Sequence, residues 1–185
     1  MKRWKRLSAF LLAVVLVLGV LTACGQQKVQ TEDFVHMVQR NLQWADASST
    51  GGQSGLNLKV KAGEDYRKEA DALLNKYVDA YEAWRATDPV LENKEPKLRE
   101  ILNELDLNDG GYVIRAYASK GKSDLTAIQH DLDDEAYGMA DDLWWYAYHN
   151  DDTAEKTITV AEKEVNGWYY LVAVSKVNVP EAQPW

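Results

Sequence analysis

The chain has 185 residues with 21 basic and 29 acidic side chains, a formal net charge of −8 and 46% hydrophobic residues, which suits one ordinary folded domain and leaves two domains too small to bury separate cores. An acidic balance with no basic stripe excludes nucleic acid as the expected partner, because that binding draws its affinity from Lys and Arg against phosphates. A single cysteine, Cys24, excludes a disulfide framework, so packing alone must hold the fold.

The first residues, MKRWKR, form a basic n-region, and Ala9 to Leu21 follow as an apolar run interrupted only by Gly19. That run is shorter than the roughly 20 residues a transmembrane helix needs and has the length of a signal-peptide core. Leu21-Thr22-Ala23-Cys24 comes next. This tetrapeptide resembles the lipobox of bacterial lipoproteins. The resemblance implies a signal peptide over residues 1–23, cleavage between Ala23 and Cys24, and a diacylglyceryl thioether with palmitate-type chains on Cys24. Two acyl chains, at about 0.8 kcal/mol per buried methylene, make a stable anchor where one would exchange. Removal of Lys2, Arg3, Lys5 and Arg6 takes the net charge from −8 to −12. The expected address is the extracytoplasmic face of a cell membrane, within the cell envelope.

Thr31 to Trp44 reads as a short amphipathic helix capped by Thr31, with Phe34, Val35, Val38 and Leu42 on one side. Ala47 to Gly55 (ASSTGGQSG) lacks apolar periodicity and reads as a linker, so residues 24–60 are expected to be a lipidated N-terminus, helix and tether, and residues 61–185 a single α+β domain. Glu64 to Arg85 is the strongest helix, with Tyr66, Ala70, Leu73, Tyr77, Tyr81 and Trp84 on one face; Asp88-Pro89 ends it. A shorter helix is expected from about Pro96 through Leu105.

Asp106 to Gly111 reads as a turn and Tyr112 to Ser119 as a strand. Leu125 to Asp131 is ambiguous between strand and helix, and Asp133 to His149 is a helix. Lys156 to Val165 and Trp168 to Val179 flank Asn166-Gly167, the strongest short signal for a hairpin with a type I′ turn. The second of these strands is apolar on both faces through Val174 and is expected to be central; the first alternates and is expected to have one wet face. The predicted class is α+β, with N-terminal helices packed on one face of a C-terminal antiparallel sheet. The element order and the Asn166-Gly167-Trp168-Tyr169 turn are similar to the cone-shaped folds of the nuclear-transport-factor-like superfamily.

No catalytic signature emerges. Gly52-Gln53-Ser54-Gly55 is only part of a G-x-S-x-G elbow, and His36, His130 and His149 stand too far apart for a zinc motif. Calcium loops begun at Asp106 or Asp131 fail, the first because Tyr117 holds the chelating twelfth position and the second because Ala136 replaces the glycine. No metal and no cofactor are assigned.

The unusual feature is aromatic: ten Tyr and, after removal of Trp4, six Trp. On a helix Trp144, Trp145 and Tyr146 point about 100° apart, so they cannot all enter one core. Trp144, Trp145, Trp168 and Tyr170 are the candidate ligand-binding residues, beside Cys24 as the lipidation site. The expected role is an anchored, non-enzymatic domain that binds an envelope protein or a glycan through an aromatic-lined face. A carboxylate-based enzyme acting on wall glycan or a small metabolite, and a structural accessory subunit of an envelope complex, are the alternatives.

Overall fold

The strand with apolar residues on both faces sets the architecture. In the computed structural model, which describes residues 31–51, 54–86, 98–105, 107, 111–120 and 125–178 (side chains of 125–131 excepted), four helices and four strands occur in the described chain. They are α1 (31–50), β1 (Val60–Ala62), α2 (Arg67–Ala86), α3 (Leu98–Glu104), β2 (Tyr112–Lys120), α4 (Leu125–His149), β3 (Lys156–Val165) and β4 (Trp168–Lys176). The predicted signal peptide and Cys24, the Asp88-Pro89 stop, Pro96 and most of the 106–111 turn lie outside the described residues. The chain divides into two units, Met1–Asp33 and Phe34–Trp185, and the second contains the whole sheet and both of its cores.

The class is α+β, as the sequence predicts. The sheet order is β1-β3-β4-β2, with β4 antiparallel to both β2 and β3 and central, as expected. Two features differ from expectation. The sheet is mixed, because the three-residue β1, which the sequence did not announce, pairs in parallel with β3 from Val60↔Lys156 to Ala62↔Ile158. Helices also cover both faces of the sheet instead of one. Alternation along β4 sends Tyr169, Leu171 and Ala173 to a core shared with α1 and α4, and Tyr170, Val172 and Val174 to a core shared with α2. Each buried aliphatic side chain stabilises by about 1.5–3 kcal/mol, so a strand apolar on both sides must be roofed on both sides. The same roofing buries Lys156 through Ala161, so the expected wet face of β3 is confined to its far end, where Lys163 and Glu164 are exposed.

The expected linker is helical as far as residue 50. Phe34, Val38, Leu42 and Ala45 are all buried in the core under α4, which moves the start of the compact unit from residue 61 to Phe34. The Ser and Thr residues that suggested a loop are used for local bonding: Thr50 Oγ1 donates to the Asp46 carbonyl, and the Ser54 hydroxyl donates to the Asp46 carboxylate. Gln39 fixes the next segment to α1. Its Nε2 donates to the Leu58 carbonyl and its Oε1 accepts from the Val60 amide, so the side-chain amide bonds the β1 backbone as a neighbouring strand would. In the opposite core, an amide at the start of α2, that of Tyr66, donates to the buried Thr159 hydroxyl of β3.

Asn166 and Gly167 join β3 to β4 in a two-residue loop with φ of 51° and 74°, the sign that type I′ geometry asks of both. At the end of α4, Asp151 adopts φ of 49° while the Asp152 amide reaches back to the Ala147 carbonyl, a left-handed cap built on aspartate where glycine is commoner. Asp152 then accepts from Lys156 Nζ at 2.5 Å, from the Ala154 amide and from Asn178, tying the helix end to β3 and to the segment after β4. Lys156 is buried and the Asp152 side chain is only about a tenth exposed.

Two outcomes test this architecture. Phe34→Ala should cost about 3–5 kcal/mol in urea unfolding, as for any fully buried phenylalanine, whereas a residue on a tether would cost nothing measurable. Burial alone would raise the Asp152 carboxyl, but Lys156, the Ala154 amide and Asn178 together hold it below its ordinary 3.8. Its stabilising contribution is therefore present above that value and lost as pH falls through it. Asp152→Asn should lower neutral stability by about 3 kcal/mol, by leaving Lys156 buried without its counter-ion, and should flatten the acid limb of the stability profile below about pH 4.

Candidate functional site

The four aromatic residues proposed from sequence do not share a pocket, because the sheet lies between them. Trp168 and Tyr170 point from β4 toward α2; Trp144 and Trp145 are on α4, across the sheet. Trp168 and Tyr170 both pack edge-on or tilted against Tyr81, at centroid distances of 5.6 and 5.7 Å. Arg85 lies over the Trp168 ring at 4.2 Å. Glu82 collects the polar ends: it accepts from the Tyr170 hydroxyl, from Asn166 Nδ2 at 2.7 Å and from Arg85 at 2.5 Å. Those bonds hold the Glu82 carboxyl below its ordinary value, while burial, followed by the bond to Glu82, pushes the Tyr170 hydroxyl up to about 12. With Tyr170 fully buried, this group fixes the hairpin turn onto α2.

The α4 side is different. The 100° rule separates Trp144, which is 6% exposed, from Trp145, which is 46% exposed. The large hydrophobic side chains left open among the described residues are Trp44 at 61%, Tyr137 at 38%, Trp145 and Tyr148 at 45%, and all lie on α1 and α4. They fall into two groups. Trp44 meets Tyr137 edge-on at 5.8 Å across the seam between the helices. Farther along, Tyr148 stacks on Trp144 at 5.0 Å with an interplanar angle of 11°, and His149 stacks on Trp145 at 4.2 Å. The seam is fixed by Arg40 and Asn41 of α1, both donating to Asp133 of α4, and by Trp144 Nε1 donating to Asp46 at 3.3 Å. The rings are thus set on two helices that cannot slide past one another. Sequence reasoning misses Trp44 because it ends the helix at that residue. Continued to residue 50, the helix puts Trp44 about 100° from buried Ala45, outside the core face.

Two small cavities flank this row. One of about 150 Å³ lies beside Gln39, Asp46, Asn57 and Trp144; the other, of about 190 Å³, beside Leu107, Tyr112, Arg115, Asp142 and Tyr146. Both are smaller than the 300–1,000 Å³ typical of ligand pockets. The carboxylate in each is already engaged. In the first, the Ser54 hydroxyl above all, against the effect of burial and with help from Thr50 and Trp144, holds Asp46 below its ordinary value. In the second, Arg115 Nη2 donates to Asp142 at 2.8 Å and Nη1 to the Ile114 carbonyl. Gly138 makes room for that guanidinium, since a Cβ there would stand 2.8 Å from Arg115 Nε. Burial raises the Glu135 carboxyl, with Arg115 opposing and Asp134 adding to the rise, but Glu135 lines neither cavity. Such carboxylates hold helices and strands in place; they do not present an acid and a base to a common substrate. Among the described residues no group of three His, Cys, Asp or Glu side chains is arranged to hold a metal, and no helix is long and apolar enough to cross a membrane.

The two neighbouring tryptophans should separate cleanly by experiment. Trp145→Phe should remove an acrylamide-quenchable part of the emission while changing stability by less than about 0.5 kcal/mol, and Trp144→Ala should cost about 3–5 kcal/mol. No protein-family model, no curated protein and no solved structure matches this chain.

Proposed function

We propose that the chain is a lipid-anchored protein of the bacterial cell envelope, held by Cys24 on the extracytoplasmic side of the membrane, and that it acts by binding a partner across the α1–α4 aromatic row. The observation that carries the binding half is the confinement of Trp44, Tyr137, Trp145 and Tyr148 to the two neighbouring helices α1 and α4, each with more than a third of its surface open. Aromatic side chains bring large, rigid contact area at low entropic cost, and Trp and Tyr supply a disproportionate share of binding energy at protein interfaces. The support for the anchor is the n-region, the apolar run and Leu21-Thr22-Ala23-Cys24. This reading makes the chain a presenter of a surface.

The two halves are tested separately. In a bacterial host, membrane-extracted protein should begin at an acylated Cys24 by mass spectrometry, and Cys24→Ser should leave it unacylated and released; an unmodified Cys24 in the membrane fraction overturns the anchor. A photo-crosslinking amino acid at position 145 should give a discrete adduct in intact cells while the same probe at exposed Asp79, on α2, gives none. Absence of any adduct from position 145 overturns the binding face.

A further inference from the structure

At the α2 side of the hairpin, this protein combines a half-buried aromatic ring, a cation and a carboxylate: Arg85 lies 4.2 Å from the centre of the Trp168 ring and donates to Glu82 at 2.5 Å. The α4 surface repeats two of the three components. Helix α4 contains six acids, Asp131, Asp133, Asp134, Glu135, Asp141 and Asp142, and neither lysine nor arginine. Arg40 takes Asp133, and Arg115 takes Asp142 with Glu135 at 4.0 Å. Asp134 and Asp141 are exposed and make no ion pair among the described residues. They stand three and four residues to either side of Tyr137, and Asp141 precedes Trp145 by four and Tyr148 by seven. At helical spacing, carboxylates and open ring faces therefore alternate along one stripe. The cations that reach this helix among the described residues are already engaged, Arg40 by Asp133 and Arg115 by Asp142, and His149 stacks on Trp145 with Nδ1 2.8 Å from the Trp145 carbonyl.

We propose that the partner segment received by this face is cationic, a stretch of peptide whose Lys or Arg side chains lie on Tyr137, Trp145 and Tyr148 and pair with Asp134 and Asp141. The inference rests on the binding role proposed above and adds the chemistry of the partner. Charge complementarity carries it. An anionic ligand would meet two unpaired carboxylates on a chain of net charge −8, and a neutral sugar would stack on the rings without using those carboxylates. A guanidinium or ammonium uses both at once.

Hexa-arginine is the probe, titrated against the detergent-solubilised full chain and followed by tryptophan emission, with hexaglutamate and chitohexaose in parallel. Hexa-arginine should bind and weaken as salt rises from about 50 to 300 mM, as expected for exposed charges. Trp145→Ala, Tyr148→Ala and the double change Asp134→Asn, Asp141→Asn should each weaken it by about two- to fivefold or more. Asp65→Asn with Asp79→Asn, two exposed acids outside this stripe, should leave it unchanged. Equal weakening by that control pair would mean bulk charge alone and overturn the proposal. Salt-independent binding of chitohexaose that is lost in Trp145→Ala, without hexa-arginine binding, would also overturn it, while leaving the aromatic face as a glycan-binding surface. The crosslinking experiment at position 145 judges that face independently of either probe.

Discussion

The constraint on which the rest depends is the two-sidedness of β4. Seven consecutive residues, Tyr169 through Ser175, are buried, and alternate side chains enter different cores. A strand of that kind cannot lie on a surface or under a single layer of helices. It forces β2 and β3 to its sides, α2 and α3 over one face, and α1 and α4 over the other. The position of α1 follows from it: without that helix the core containing Leu171 and Ala173 would face water, and the chain would expose the apolar surface it had just paired. Apolar packing on both faces also explains why the layers are held without a disulfide.

The parts of this fold legible in the sequence are those fixed by side-chain periodicity. The Tyr66-to-Trp84 face announces α2, and Asn166-Gly167 between apolar runs announces the β3–β4 hairpin. The apolar continuity of β4 also predicts its central place, although helices on both faces, its further meaning, emerge only in the packed molecule. What stays hidden depends on partners distant in sequence. Residues 47–50 have the composition of a linker; their helical state depends on Ala45 entering a core and on Thr50 bonding back to Asp46. β1 is only three residues long and depends on β3 from one side and the Gln39 amide from the other. Pattern reading cannot weigh such bonds, because neither partner is distinctive alone.

The candidate site divides in the same way. That one of Trp144, Trp145 and Tyr146 must look outward is a matter of helix geometry, and Trp145 does. That Trp168 and Tyr170 belong to a different layer requires the sheet itself, since alternation along β4 assigns both to the α2 side. The row that remains draws one member, Trp44, from a helix whose length the sequence understates. A stacking surface assembled from two helices needs those helices locked, and the Arg40–Asp133 pair and the Trp144–Asp46 bond do this at two levels of the seam. Such ties on the surface are each modest, about 0.2–1 kcal/mol, so the lock derives most of its strength from the core beneath it.

The Gln39 amide has a consequence beyond holding β1. A sheet's outermost strands offer unused amide and carbonyl groups to any other extended chain, which is how folded proteins come to polymerise. On one border of this sheet Gln39 occupies such groups at Leu58 and Val60; on the other, Arg115 occupies the Ile114 carbonyl. Both borders are thus blunted at those points by side chains of the protein itself. At those points another extended chain finds the backbone groups already taken, so edge-to-edge joining of copies is disfavoured there.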